Sequence, residues 1–296
     1  MLTVLIPTFH YNALPLVEVI HEQCTQAGIL FQIIVQDDAS NSALNIENNK
    51  INALSHSVFY TNSENLGRGR NINAMASKAI YDYLLLLDCD TLPTSDTFIA
   101  NYINEIKKET PVVFGGIVYQ KDKPIQENLL RWVYGQDREA LTVEQRKGNP
   151  YYSTLTSNIL FRKTLFLSNR FDENITNYGY EDVVWVKHLK EKSIPVTHID
   201  NPTYHLNMET SVIFLKKIHE SLENLQLISK LGLITTDDNR ILRTYKSVSN
   251  LGGAGIFSFI YQKFSKKIEA NLVSNHPNLF LLDIYKLSYF CKINSK

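Results

Sequence analysis

The chain has 296 residues, 44% of them hydrophobic, with 30 Lys+Arg balanced by 30 Asp+Glu. That length accommodates one large domain, or one domain with an appendage, around a sizeable core. Zero formal charge argues against a general nucleic-acid binder, which would carry a basic excess, and the three dispersed cysteines, Cys24, Cys89 and Cys291, form neither a zinc-type pair nor an even disulfide framework, so a reducing cytoplasm fits best.

The N-terminal residues show no basic region followed by a long apolar stretch, so no signal peptide is visible, and no segment reaches the roughly 18 uninterrupted apolar residues of a spanning helix. Strands are expected over residues 2–6, 31–36, 58–60, 83–87 and 112–118, with helices over 14–27, closing at Gly28, and over 70–81 and 96–108. This alternation is the rhythm of an α/β fold with a parallel sheet. Ligands of such sheets settle beyond the carboxyl ends of the strands, so Pro7-Thr8, Asp37-Asp38 and Asp88-Asp90 should share one crevice. From about residue 122 to 150 the pattern loosens into expected loop and short helix, where Trp132, Tyr134, Tyr151 and Tyr152 either stack on a sugar or pack the loop onto the body. A strand over 157–162, a helix over 180–191 and a strand over 196–199 follow. Phe214, Ile218, Leu222, Leu225 and Ile228 then repeat at helical spacing up to Gly232, which predicts a long amphipathic helix. Gly252-Gly253-Ala254-Gly255 reads as a hinge. After it, residues 256–264 mix aromatics with lysine, and Lys266 and Lys267 follow, which suits a helix packed on the body or one lying on a membrane surface.

The densest chemistry lies at Asp88-Cys89-Asp90, after the apolar run Tyr83-Leu84-Leu85-Leu86-Leu87. Side chains two apart on an extended segment point to one side, so both carboxylates can converge on a cation that stabilises a diphosphate. Taken alone, a D-x-D is short and common, and a solvated turn with two acids is the better reading of it.

The context comes from further motifs: Val4-Leu5-Ile6-Pro7-Thr8-Phe9, Gln36-Asp37-Asp38-Ala39-Ser40, Asn65-Leu66-Gly67-Arg68-Gly69-Arg70-Asn71, Phe114-Gly115-Gly116, Ser157-Asn158-Ile159-Leu160-Phe161-Arg162 and Tyr178-Gly179-Tyr180-Glu181-Asp182. Their joint order resembles the family 2 glycosyltransferases with the GT-A fold, over roughly residues 1–210. The Gly-Tyr-Glu-Asp stretch is similar to that of bacterial chondroitin-type polymerases and of the galactosyltransferase carboxyl-terminal region, which are inverting, metal-dependent enzymes acting on nucleotide sugars.

The resemblance implies a mixed, mostly parallel sheet flanked by helices as a catalytic domain over residues 1–208, with a nucleotide-binding half over 1–120 and an acceptor-side half over 121–208, and a helical extension over 209–296. It implies that Asp90, with Asp88 alongside, holds Mn²⁺ or Mg²⁺, completed by His205, with His198 as the competing candidate. Pro7, Thr8 and Phe9 would line the base, Asp38 or its neighbour Asp37 would accept a hydrogen bond from uracil, and Arg70 would reach the nucleotide. Asp182 would be the general base and Glu181 would orient the acceptor, while Gly116, Asn158, Trp132 and Tyr180 would position sugar or acceptor. Structural readings stand beside these: Asp37 and Asp38 suit an Asx turn, Glu181 and Asp182 a helix start, and Cys89 simple packing.

The function so implied is inverting transfer of a hexose or N-acetylhexosamine from a UDP-sugar to a hydroxyl of a glycan or glycolipid, in the cytoplasm or at the inner face of the membrane, with no nucleic-acid partner. A non-catalytic nucleotide-sugar-binding or scaffold subunit is the alternative, and it would tolerate loss of the acids. A nucleotidyltransferase would want a Gly-rich basic loop after the first strand, and Pro7-Thr8-Phe9-His10 is not one.

Overall fold

The structure is a computed structural model and describes residues 1–295. The chain begins β1 (Leu2–Thr8), α1 (Leu14–Gln26), β2 (Phe31–Asp37), α2 (Asn45–Asn48), β3 (Ser57–Thr61), α3 (Arg68–Lys78), β4 (Tyr83–Leu87), β5 (Thr91–Pro93), α4 (Phe98–Lys107), β6 (Val112–Phe114) and β7 (Ile117–Val118). It continues α5 (Leu129–Arg138), α6 (Val143–Gly148), β8 (Asn158–Arg162), α7 (Lys163–Leu167), α8 (Glu181–Glu191), β9 (Thr197–His198), β10 (Thr203–His205), α9 (Ser211–Lys230), α10 (Arg240–Asn250), α11 (Ala254–Leu272) and α12 (Leu279–Asn294). Two compact units emerge: one of Met1–Gln120, Glu139–Thr176 and Trp185–Asn207, the other of Lys121–Arg138, Asn177–Val184 and the chain from Met208 onward.

The first unit is built on a seven-stranded sheet in the order β3-β2-β1-β4-β8-β6-β9. β8 runs antiparallel to both neighbours and the remaining pairs are parallel. Alternation along the strands sends Leu2, Val4, Ile6, Leu85 and Leu87 to one face, against Leu16, Val17 and Ile20 of α1 and Phe98, Ile99 and Tyr102 of α4. Leu5, Leu84 and Leu86 go to the other, against Ile72 and Met75 of α3, Phe166 of α7 and Trp185 and Leu189 of α8. A run of four leucines suits a central strand because both of its faces are buried.

The single strand expected over residues 112–118 is two strands. Gly116 turns the chain at φ +102, and β7 joins a separate three-stranded sheet, β5-β10-β7. A Cβ on Gly116 would lie 2.8 Å from Arg146 Nη2, so the turn needs glycine on both counts. Residues 122–150 are also more helical than expected, since Thr142 and Gln145 close a capping box on α6. That helix carries Arg146 inward, where its guanidinium donates to the backbone oxygens of Phe114 (3.2 Å), Gly115 (3.3 Å) and Ile199 (3.0 Å). Asn158 is equally interior: its amide donates to Gly116 O at 2.8 Å and Asn201 O at 2.9 Å and accepts from the Tyr102 hydroxyl at 2.6 Å.

In the second unit, Leu222, Leu225 and Ile228 of α9 are buried, and Tyr261 of α11 packs against Tyr285 and Tyr289 of α12. His219 of α9 stacks on Tyr289 at 4.1 Å, and Tyr285 donates to Glu269 at 2.6 Å. The helix carrying Lys263, Lys266 and Lys267 therefore packs on its neighbours through one face. Among the described residues no helix is long and apolar enough to cross a membrane.

His198 lies buried, with its ring nitrogens against Arg146 Nη1 (3.4 Å) and Pro150 O (3.1 Å). Burial, and then the Arg146 charge, push its pKa down to about 4. A histidine held neutral in the folded state contributes stability that is fully present above its unfolded pKa of about 6.5 and is lost as pH falls toward 4. The urea midpoint of the wild type should thus exceed that of His198→Gln at pH 7, and the gap should narrow by about pH 4.5. Parallel pH profiles for the two proteins would contradict this.

Candidate active site

β4 ends at Leu87 and the chain turns at once, because Asp88 O accepts from Thr91 N at 3.1 Å and from the Thr91 hydroxyl at 2.8 Å. An extended continuation would set the two acids side by side; this turn gives them different partners. Asp88 Oδ1 accepts from Arg68 Nη2 at 2.6 Å. Arg68, the first residue of α3, is itself fixed by Nη1 donating to Thr156 Oγ1 at 3.0 Å. Asp90 Oδ2 instead lies 3.6 Å from His205 Nε2.

That second pairing follows from the small sheet. β5 and β10 are antiparallel with Thr91 opposite His205, and Leu206 N donates to Asp90 O at 2.8 Å, so the strand register carries the imidazole to the carboxylate. The Tyr119 ring lies against His205 at 5.4 Å, and the Tyr119 hydroxyl donates to Glu139. Beside the turn, the Cys89 thiol meets the Thr8 hydroxyl and the Phe9 backbone; burial, then Asp90, push it up to about 12, so it stays protonated. The Tyr11 phenol is raised by burial first and then by Asp90 and Cys89, which places it in the same electronegative corner. Among the described residues no group of three or more His, Cys, Asp or Glu gathers to hold a metal ion. One carboxylate and one imidazole nevertheless form a donor pair suited to Mn²⁺ or Mg²⁺ when diphosphate and water oxygens complete the sphere.

Asp37 and Asp38 close the end of β2, and both are buried. Asp37 accepts from Ser40 N (2.9 Å), the Ser40 hydroxyl (2.6 Å) and Asn45 Nδ2 (3.0 Å), a local turn. Asp38 accepts from Leu66 N (2.9 Å), Gly67 N (2.8 Å) and Asn62 Nδ2 (2.8 Å), and so shapes the loop that leads into α3. Gly67 stands at φ +81 at the helix start, a conformation that favours glycine. Arg70 Nε donates to Glu173 O at 2.8 Å and ties α3 to the loop between α7 and α8. At the end of β1, Pro7 and Thr8 are buried while the Phe9 ring is 50% exposed.

In the second unit, Gly179 (φ +92) and Tyr180 (φ +69) form a left-handed turn directly before α8. A Cβ on Gly179 would fall 2.9 Å from Ser221 Cβ, and Asn224 Nδ2 donates to Gly179 O at 2.6 Å. The turn thus sets the start of α8, where Glu181 and Asp182 occupy the first turn and benefit from the helix dipole. Asp182 Oδ1 accepts from Val183 N at 2.8 Å. Tyr178, just before, is raised by burial and then by Glu209 and Glu181. Trp132 lines a shallow cleft of about 370 Å³ with Lys123, Asn275 and His276.

The first unit therefore brings Asp90 to His205, pairs Asp88 with Arg68 on the same turn, and sets Cys89 between them against Thr8 and Phe9. Asn158 and His198 lie in its interior, and Gly116 lies against Arg146. Tyr11 and Tyr119 escaped the reading of the sequence, whereas Arg68, named there within its motif, pairs with an acid, Asp88.

Three comparisons bear on identity. The profile of glycosyl transferase family 2 matches residues 3–170, more than half of the chain. Among solved structures, the mannosyltransferase PcManGT from Pyrobaculum calidifontis, in complex with GDP-Man and Mn²⁺, aligns at TM-score 0.59 and 12% identity over 100% of this chain and 87% of its own. S. aureus TarS 1-349 aligns at TM-score 0.52 and 13% identity over 99% of this chain and 90% of that one. Against another S. aureus TarS structure (TM-score 0.49, 16% identity), the alignment covers 74% of this chain and spans 38% of the TarS chain. No curated protein matches the sequence. The chain belongs to glycosyl transferase family 2. Its fold is GT-A.

The loop role of Asp38 is measurable. Asp38→Ala strands two backbone N–H groups and should lower stability by about 2 kcal/mol in urea denaturation, with Asp38→Asn losing less. A loss below about 0.5 kcal/mol would contradict that role.

Proposed function

We propose that this family member transfers a hexose or N-acetylhexosamine, with inversion, from a UDP-sugar to a hydroxyl of a glycan or glycolipid. The observation that carries the reading is the 3.6 Å approach of Asp90 to His205 next to the Asp88–Arg68 pair, all at the carboxyl end of β4. Asp90 and His205 would hold a divalent cation. When bound, that ion neutralises charge growing on the leaving diphosphate. Mn²⁺ in the PcManGT complex agrees with such a cation.

The chain's own groups have separable tasks. Asp88, oriented by Arg68, faces the nucleotide; Phe9 offers an exposed ring for a base; Asp38 and Arg70 order the loops around it. Asp182 takes the proton of the acceptor hydroxyl, and Glu181 orients the acceptor, in keeping with the rigid Gly179–Tyr180 turn that presents both acids. Tyr180 and Trp132 are the acceptor-side groups. Three free cysteines agree with a reducing compartment.

Nucleotide release over a panel of nucleotide sugars, with Mn²⁺ and with chelator, tests the donor. Asp182→Asn keeps shape but cannot accept a proton, so transfer should fall by roughly 10²-fold or more at unchanged donor affinity. Full transfer by Asp182→Asn together with loss in Glu181→Gln would move the base to Glu181, and full transfer by both would remove this mechanism.

A further inference from the structure

Charge is distributed unevenly in this otherwise balanced chain. Between Asp238 and Glu269 there is no Asp or Glu, but there are six cations: Arg240, Arg243, Lys246, Lys263, Lys266 and Lys267. The segment folds as α10, a short turn at Leu251-Gly252-Gly253, and α11; exposed apolar Leu251, Ile256 and Phe259 lie at the turn end, and Phe264 lies further along α11. Leu251 is 87% exposed, Ile256 65%, Phe259 53% and Phe264 48%.

α11 has two distinct faces. Ser258, Tyr261, Ile268 and Leu272 are buried within the helical unit. At about 100° per residue, Ile256, Phe259, Lys263, Lys266 and Lys267 fall within an arc of about 100° on the opposite side. Apolar groups occupy the turn end of that stripe, and the lysines begin roughly 10 Å further along the helix. Glu269, the first acid after the lysines, accepts from the Tyr285 hydroxyl at 2.6 Å. On α10, Arg243 donates to Thr236 O and Asp237 O at 3.2 and 3.1 Å, while Arg240 and Lys246 are exposed.

We propose that the α10–α11 hairpin docks the protein on an anionic lipid bilayer. Leu251, Ile256 and Phe259 enter the interface, and Lys263, Lys266 and Lys267 meet the phosphates of the headgroups. An apolar tip with a basic flank matches the depth profile of such a surface, whereas a soluble polyanion would use the cations and leave three large apolar groups in water. The docking goes beyond the donor-site reading and is independent of it, because it needs no nucleotide.

The test is co-sedimentation of the full chain, without nucleotide, with vesicles of phosphatidylcholine alone or mixed with phosphatidylglycerol. The wild type should bind the mixed vesicles and release at high salt. Replacing all three lysines by Gln should weaken partitioning roughly 100-fold, about fivefold for each. Leu251→Ser with Phe259→Ser leaves the charge intact and should weaken it about tenfold or more. All these positions are exposed, so circular dichroism melts should match the wild type. Failure of the wild type to bind mixed vesicles would overturn the proposal. Binding unchanged by the Leu251/Phe259 pair, with equal affinity for heparin, would assign the patch to a soluble polyanion and overturn it equally.

Discussion

The register of β5 against β10 is the constraint on which the approach of His205 to Asp90 depends. With Thr91 opposite His205, a histidine more than a hundred residues downstream of the D-x-D turn arrives beside Asp90. A slip of one residue would turn the imidazole to the opposite face of the small sheet. Gly116 is part of the same constraint, because its turn lets β7 leave the large sheet and pair with β10. The Asp90–His205 approach thus rests on a three-stranded sheet of very short strands, held by the Asp90 carbonyl and by packing of Tyr119 on His205.

Around this constraint the first unit is stiffened by buried polar groups that are satisfied internally. Asp38 fixes the loop before α3, Asn158 joins the end of β8 to Gly116 and Asn201, and Arg146 adds side-chain donors to the carbonyls of Phe114 and Gly115, which also accept from Ile199 N and Asn201 N. Each is costly to bury alone and rigid when fully bonded. Such groups suit a site in which strand ends stay in place while ligand and cation come and go, since preorganised donors need no rearrangement when charge develops.

Much of this was legible in the sequence, for identifiable reasons. The leucine run of residues 84–87 announces a strand buried on both faces, and the helical repeat beginning at Phe214 announces α9. Family membership follows from motif order, which no single motif supplies. Two kinds of information were hidden. One was the break at Gly116: apolar strand-forming residues flank Gly115-Gly116 on both sides, so the stretch reads through as one strand, and the positive φ of Gly116 and the tertiary approach of Arg146 show why the chain turns there. The other was the partner of each polar group. Asp88 and Asp90 read as a matched pair on an extended segment, but the hydrogen bonds of Thr91 convert that segment to a turn and part them. Asn158 stands in a motif and reads as a ligand-facing amide, yet its partners, Tyr102 and Asn201, lie 56 and 43 residues away. Long-range satisfaction of this kind leaves no local pattern.

The central claim is that Asp90 and His205 act together on one divalent cation, and calorimetry of UDP binding tests it most directly. UDP should bind the wild type more tightly with Mn²⁺ than with chelator. Asp90→Ala and His205→Ala should each remove most of that difference, and the double variant should lose no more than the more severe single one, as for two residues that serve one ion. Equal UDP affinity with and without Mn²⁺ in the wild type, or a metal dependence that survives in Asp90→Ala, would contradict it.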